Sequence, residues 1–250
     1  MKIAILTGAS AGLGKEYFYN LINRSDIDCI WLIARRKDRL EQLAASTDKP
    51  CVILPLDLTD DKSFEILKEK LSEQTAEIKI LINNAGFGKL GNVDQLSVTD
   101  QTDMVRLNCA ALTAVTTVCL QFMKKGSFIV NVCSIASFAP NPRMTVYSST
   151  KAYVLSFSKS LRQEVKKRGI NVLATCPGPM NTEFLSVANI TGNSKTFDIL
   201  PYCDPKKVAA HSLKQAEKGR AIHTPKLFYK FYRILAKLLP HSFIMKLSKT

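Results

Sequence analysis

Lys2-Ile-Ala-Ile-Leu-Thr7 runs directly into Gly8-Ala-Ser-Ala-Gly12-Leu-Gly14, and this junction decides the fold. The apolar run suits a buried parallel strand, and the residues after it suit a helix over 12–24. Glycines at a strand-to-helix turn let the backbone approach a phosphate, and the helix start offers free N–H groups and a partial positive charge. The spacing is G-x-x-x-G-x-G, which differs from the common G-x-G-x-x-G dinucleotide fingerprint. A P-loop is excluded, because Gly14-Lys15 is followed by Glu16 where that motif needs Ser or Thr. The turn by itself is also compatible with a tight connection that holds no ligand.

The same alternation continues along the chain. Strands are predicted at 2–7, 28–34, 51–56, 78–83, 127–133, 170–176 and 220–223. Helices are predicted at 12–24, 37–46, 60–74, 100–124, 146–168 and 204–217, with Gly169 as the stop after the fifth. Repeated βα units of this length imply an α/β fold: a doubly wound, seven-stranded parallel sheet with helices on both faces and right-handed crossovers. Ligands on such sheets gather at the carboxyl ends of the strands. At 250 residues, with no linker or repeat, one domain over 1–224 is expected, followed by a helical extension over 225–250.

Tyr147 and Lys151 stand four apart in the fifth predicted helix and so share a face. A cation beside a phenol favours the phenolate, which would make Tyr147 a general acid/base for a carbonyl or alcohol. The pair also fits a half-buried Tyr beside a solvated Lys.

Thr7-Gly8-x-x-x-Gly12-x-Gly14, Asn83-Asn84-Ala85-Gly86, Asn108, Ser134, Tyr147-x-x-x-Lys151 and Pro177-Gly178 occur in an order and spacing that resembles the short-chain dehydrogenase/reductase family. The resemblance covers residues 1–182 and is nearest the ketoacyl reductase and hydroxysteroid dehydrogenase branch. It implies a Rossmann-type catalytic domain, an oligomer (dimer or tetramer), and a catalytic set of Asn108, Ser134, Tyr147 and Lys151. In that set Ser134 hydrogen-bonds the substrate oxygen and Tyr147 exchanges its proton. Lys151 lowers the tyrosine pKa and holds the nicotinamide ribose, while Asn108 anchors a water leading from Lys151 to solvent. The resemblance further implies cofactor contacts at Gly8, Ser10, Gly12, Leu13, Gly14, Leu58, Ala85, Pro177 and Gly178. It also places Asp57 at the adenine amino group, Asn83 and Gly86 beside the adenosine ribose, and Met180 and Thr182 at the nicotinamide carboxamide.

Cofactor choice can be read at the end of the second strand. An NAD site places a carboxylate there, but this chain reads Leu32-Ile33-Ala34-Arg35-Arg36 with no acid before Asp38. Arginine binds a phosphate through its planar fork, so NADP(H) is favoured and Arg35 is the expected 2′-phosphate ligand. The two arginines also fit a solvated helix start. Ala11 stands where NADP-dependent members of the family carry a basic residue.

Composition narrows the classes further. The start lacks a signal-peptide h-region, and the apolar runs look too short to span a bilayer. Seven cysteines without a C-x-x-C pair suit buried thiols in a reducing cytoplasm, the expected location. His211, His223 and His241 lack ligand spacing, so no metal site is expected. The net charge of +14 has no aromatic–basic recognition motif behind it, so nucleic acid is not an expected partner. A non-catalytic dinucleotide-binding protein is the alternative to an oxidoreductase.

Two segments bear on partners. Residues 183–203 carry Phe184, Leu185, Val187, Ile190, Phe197, Ile199, Leu200 and Tyr202; the resemblance implies a lid over the substrate here, the composition suggests that substrate is apolar, and the residues also fit packing on the core. Residues 206–250 hold eleven Lys/Arg against Glu217 alone. Within them Thr224-Pro225 predicts an N-cap for a basic amphipathic helix over 226–239. Its apolar stripe is Leu227, Phe228, Phe231, Ile234, Leu235 and Leu238, opposite Lys226, Lys230, Arg233 and Lys237. Packing on its own domain or a second subunit is the leading expectation for this stripe, with peripheral membrane contact and another partner also open.

Overall fold

The computed structural model describes residues 1–190, 192 and 194–247. The chain begins β1 (Lys2–Thr7), α1 (Gly12–Leu21), β2 (Cys29–Ile33), α2 (Lys37–Ala44), β3 (Cys51–Leu54), α3 (Lys62–Glu73) and β4 (Glu77–Asn83). It continues with α4 (Val98–Val105), a wide helical turn (Arg106–Ala111), α5 (Leu112–Leu120), β5 (Met123–Val132), α6 (Thr145–Val165) and β6 (Asn171–Thr175). Two short helices follow, α7 (Glu183–Val187) and α8 (Lys195–Ile199), and then α9 (Pro205–Glu217), β7 (Ile222–His223), α10 (Leu227–Leu238) and α11 (His241–Leu247).

All seven strands are parallel, in the order β3-β2-β1-β4-β5-β6-β7, so the strand order reverses between β1 and β4. In β1, Ile3 to Leu6 are fully buried, as a central strand covered on both faces requires. Ala4 stands opposite Ile30 in β2 and Ile80 in β4. One face carries Leu6, Tyr17, Phe18, Leu32 and Leu213 in a core beneath α1 and α9, where the Tyr17 hydroxyl meets Ser212 Oγ at 2.7 Å. The other carries Ile5, Trp31, Leu67, Leu81 and Val115 beneath α3 and α5.

Three differences from the sequence expectation have local causes. β5 begins at Met123, four residues before the predicted 127, because Met123 already pairs with Ile78 ahead of a register shift. The predicted helix 100–124 runs instead from Val98 to Leu120 and widens at Arg106–Ala111. That 23-residue stretch is long and apolar enough by composition to cross a membrane, which corrects the expectation that no run is. Here its inner side, including Met104, Asn108, Val115 and Cys119, is buried in the protein.

Candidate active site

The ends of β1 and β4, on either side of the strand-order reversal, are tied together first. The Thr7 hydroxyl accepts the N–H groups of Asn84 and Ala85, both at 3.0 Å, and the Asn84 amide donates to the carbonyls of Thr7 (3.1 Å) and Gly8 (3.0 Å). Gly8 has φ +65°, a left-handed conformation that favours glycine. A Cβ on Gly14 would lie 2.1 Å from the Gly8 carbonyl, so only glycine lets the turn close this tightly. Ala11 caps α1 with no side-chain hydrogen bond, and the first turn carries no acid. The helix start therefore offers its N–H groups and partial positive charge to an anion, and the cradle fits a dinucleotide pyrophosphate.

The reacting groups converge from β5 and α6. Ser134 follows β5 and caps the short turn Ile135–Ser137, where its Oγ accepts from the Ala136 N–H at 3.1 Å. Tyr147 and Lys151 lie one turn apart on α6 and are 7% and 5% exposed. The Ser134 side chain stands close to the Tyr147 phenol. Lys151 Nζ donates to the Val132 carbonyl at 2.9 Å and stands 5.7 Å from the Tyr147 ring centroid. Burial pushes the Tyr147 phenol above its ordinary value, and the Ser134 side chain opposes this without overcoming it. Burial likewise pushes Lys151 down. The direction at Tyr147 is therefore opposite to the lowering expected from Lys151: the ammonium lies against the ring, and burial dominates.

Asn108 is buried in the widened helical turn. Its amide donates to the Phe87 carbonyl at 2.8 Å and to Thr150 Oγ1 at 3.0 Å, and its Oδ1 accepts from the Phe87 N–H at 3.0 Å. A Cβ on Gly86 would lie 2.8 Å from Asn108 Oδ1 and 3.4 Å from Lys151 Nζ, so both side chains crowd Gly86, and Asn108 grips the loop after β4 through Phe87.

A cavity of about 900 Å³ joins the glycine turn to Tyr147. Gly8, Ser10, Gly12, Leu13, Arg35, Asp57, Leu58, Ala85 and Gly86 line its cofactor-like end. Ser134, Tyr147, Lys151, Pro177, Gly178, Met180 and Thr182 line the other. Gly14 lies beneath the turn, packed on Gly8. Asn83 corrects the expectation of a ribose contact: its amide points into the core and donates to Thr116 Oγ1 and Asn131 Oδ1, both at 2.9 Å. The Asp57 carboxyl is held below its ordinary value; slight burial opposes this, but the Thr59 N–H, the Thr59 hydroxyl and Arg35 prevail. Among the described residues, no group of three or more His, Cys, Asp or Glu is placed to hold a metal ion.

The basic residues after β2 show what the sequence did not signal. Arg35 is 76% exposed, 3.9 Å from Asp57. Arg36 reaches Ser10 Oγ at 3.2 Å and Glu183 at 3.1 Å, and Arg39 reaches Glu183 at 2.6 Å. Glu183 opens α7 and is the lone acid between Glu164 and Asp198, the only sequence signal it carried. Its neighbour Phe184 packs on the Tyr147 ring, with centroids 5.6 Å apart. Leu185 and Ile190 are buried in the same cluster as Tyr147, so part of the 183–203 segment walls the site, while Ile199 is 83% exposed. Its residues 191 and 193 lie outside the described residues.

The tail contributes another wall. Phe228, Tyr229, Tyr232 and Leu235 of α10 and Ile244 of α11 line the cavity. α10 starts at Leu227, one residue later than predicted, because Lys226 has φ +58°; Thr224, the expected N-cap, is buried and its hydroxyl accepts from Arg233 at 3.2 Å. The helix packs inward through Tyr229, whose hydroxyl donates to the Pro201 carbonyl at 2.8 Å, and through Ala236. The predicted stripe faces outward instead: Leu227, Phe228, Phe231, Ile234 and Leu238 are 52–81% exposed, and Leu235 alone is partly covered. The expectation that the stripe covers its own domain is corrected accordingly.

The short chain dehydrogenase family model matches residues 2–191. The NADP-dependent 3-hydroxy acid dehydrogenase of Schizosaccharomyces pombe is 33% identical over 205 residues, 79% of this chain and 78% of that protein. The 17-beta-hydroxysteroid dehydrogenase type 3 of Homo sapiens is 31% identical over 205 residues, 78% of this chain and 64% of the human protein's length. A solved short-chain dehydrogenase from Sphingobium yanoikuyae, in complex with NADPH, superposes with a TM-score of 0.80 at 27% identity, covering 96% of this chain and 97% of that one.

Proposed function

The chain belongs to the short-chain dehydrogenase family, and from that premise we propose that it is an NADP(H)-dependent oxidoreductase that interconverts a ketone and a secondary alcohol on an apolar substrate. The observation that carries this reading is the convergence of Ser134, Tyr147 and Lys151 in one cavity with the glycine turn. The start of α1 would hold the pyrophosphate, and Ser10, Arg35 and Arg36 the 2′-phosphate. When bound, the nicotinamide supplies or accepts the hydride. Ser134 and Tyr147 direct their hydroxyls at the substrate oxygen, and Tyr147 donates its proton as negative charge develops there. The phenol is protonated at neutral pH even at its ordinary value near 10, and burial pushes it further up, so it is in the form that carbonyl reduction needs. Lys151 holds positive charge behind the ring, stabilising the phenolate left after transfer.

The substrate end is apolar, with Met144, Phe184, Leu185 and Leu235 on its walls. A hydroxysteroid or fatty-acyl-like ketone fits those walls, and the relatives named for a 3-hydroxy acid and a hydroxysteroid are in keeping with such a substrate. The test is nicotinamide absorbance followed with NADPH and NADH across a panel of small ketones, 3-oxoacyl thioesters and ketosteroids. Turnover with NADPH on the apolar members supports the reading; cofactor binding without turnover on any member would leave a dinucleotide-binding protein.

A further inference from the structure

We propose that α10 and α11 dock the protein on an anionic lipid surface, with one wall of the active-site cavity against that surface. The first observation is the face they present. Leu227, Phe231, Ile234 and Leu238 are 81%, 59%, 52% and 72% exposed, and Phe243 of α11 adds another large apolar side chain at 51%. The helix cannot roll to hide them. Tyr229 is fully buried, so close to Gly178 that a Cβ there would fall 2.2 Å from its ring, and Ile244 is 2% exposed. The domain grips α10 by the opposite side and fixes the apolar stripe outward.

The second observation is charge. Residues 218–247 carry seven Lys/Arg and no Asp or Glu. Lys230 and Lys237 are exposed and fall together along one flank of the stripe, and Lys226, just before the helix, is exposed as well. A second copy of this chain related by a two-fold axis would bring the lysines of both copies onto one interface, with no carboxylate on the patch to compensate. An anionic lipid surface complements both features, the lysines meeting headgroups while the stripe enters the acyl boundary. At 12 residues α10 spans about 18 Å, short of a hydrocarbon core of about 30 Å, so it lies in the interface plane.

The third observation is continuity. Phe228 is 55% exposed yet also lines the cavity, beside Tyr232 and Leu235. Docked in this way, the apolar end of the cavity adjoins the acyl region, and an apolar ketone can pass between the two without crossing water. This last step rests on the proposed oxidoreductase reading; the docking does not.

The test uses the full chain without substrate or cofactor, in flotation with vesicles of phosphatidylcholine alone or mixed with phosphatidylglycerol. Wild type is expected to float with the anionic vesicles at low salt, to bind phosphatidylcholine at least tenfold more weakly, and to be released by high salt. The combined substitutions F231S, I234S and L238S should reduce anionic binding at least tenfold without lowering the melting temperature, because none of these side chains is buried. K230E with K237E should abolish the preference for anionic lipid. Absence of wild-type flotation at low salt would overturn the proposal, as would binding unchanged by the serine substitutions. A native dimer that those substitutions split, in a protein that ignores vesicles, would assign the face to a second copy. Vesicle binding in a protein that reduces no ketone would sustain the docking and sink the enzymatic reading alone.

Discussion

Glu183→Gln is expected to raise the preference for NADPH over NADH. Glu183 joins Arg36 at 3.1 Å and Arg39 at 2.6 Å, and Arg36 also touches Ser10 beside the glycine turn. Its carboxylate thus occupies a guanidinium that a 2′-phosphate would otherwise engage, and NADPH must displace it whereas NADH need not. The side chains of Arg36 and Glu183 are 43% and 50% exposed, so solvent screens the pair strongly. An exposed pair of this kind contributes ~0.2–1 kcal/mol. Releasing Arg36 should therefore shift the NADPH/NADH affinity ratio by up to roughly fivefold. Arg39 holds Glu183 below the ordinary carboxyl value, with a smaller part from Arg36, so the contact is ionised at neutral pH. The assay is nicotinamide fluorescence titration with both cofactors at low and high ionic strength, in wild type, Glu183→Gln, Arg36→Ala and the double variant. The gain should shrink with salt and vanish in the Arg36→Ala background. Weaker NADPH binding by Glu183→Gln, or an equal shift for both cofactors, would refute the reasoning by making Glu183 a cofactor support or a general lid anchor.

Other outcomes follow from the same geometry. Tyr147→Phe should lower kcat by two or more orders of magnitude while leaving cofactor affinity within about threefold, since only the exchangeable proton is removed; near-normal turnover would remove Tyr147 from the proposed chemistry. Gly14→Ala puts a Cβ 2.1 Å from the Gly8 carbonyl, so it should cost ~1–3 kcal/mol in chemical denaturation and weaken both cofactors. His223, which meets Thr175 Oγ1 at 3.1 Å, is pushed down to about 4 by burial, with the nearby His211 and Lys230 adding to the effect. The unfolded imidazole titrates near 6.5, so between about 6.5 and 4 the unfolded chain binds more protons. This group's contribution is full above about 6.5 and is lost as pH falls through 4. Melting temperature followed from pH 7 to 4 should drop more steeply in wild type than in His223→Gln; parallel curves would exclude the histidine as a source of acid sensitivity.

The seven-stranded parallel sheet could be expected from the sequence because its signals are local and repeated. Ile3–Leu6 and Cys29–Ile33 are unbroken apolar runs, and an unbroken run means a strand covered on both faces. The glycine turn likewise declares its chemistry within seven residues. Tyr147 and Lys151 were paired by helical spacing and Ser134 was added by the family resemblance, and the structure brings the three together. What spacing could not convey was the electrostatic balance. Burial at Tyr147 comes in part from Phe184, Leu185 and Ile190, which are remote in sequence, and it reverses the expected direction for the phenol. The link from Glu183 to Arg36 and Arg39 spans more than 140 residues and was equally silent.

The tail shows a different limit. Periodicity tells which side chains share a face, but it does not say which face the rest of the protein will take. In α10 the apolar positions go almost all the way round: Leu227, Phe231, Ile234 and Leu238 on one side, Tyr229, Tyr232 and Ala236 on the other, with Lys230 and Lys237 between. A helix that is apolar on nearly every side is covered on nearly every side. The more hydrophobic stripe looked like the inward one, yet the domain takes the opposite face. Gly178 leaves a space that only a side chain approaching this closely can fill, and the Pro201 carbonyl offers the Tyr229 hydroxyl a partner that no leucine could use. Ala236 then lets the helix settle against Ala139. A side chain with an apolar body and a polar tip fits a loop-lined interface better than a wholly apolar one. The face with the highest hydrophobicity is therefore the one left exposed, with Lys230 and Lys237 along its flank.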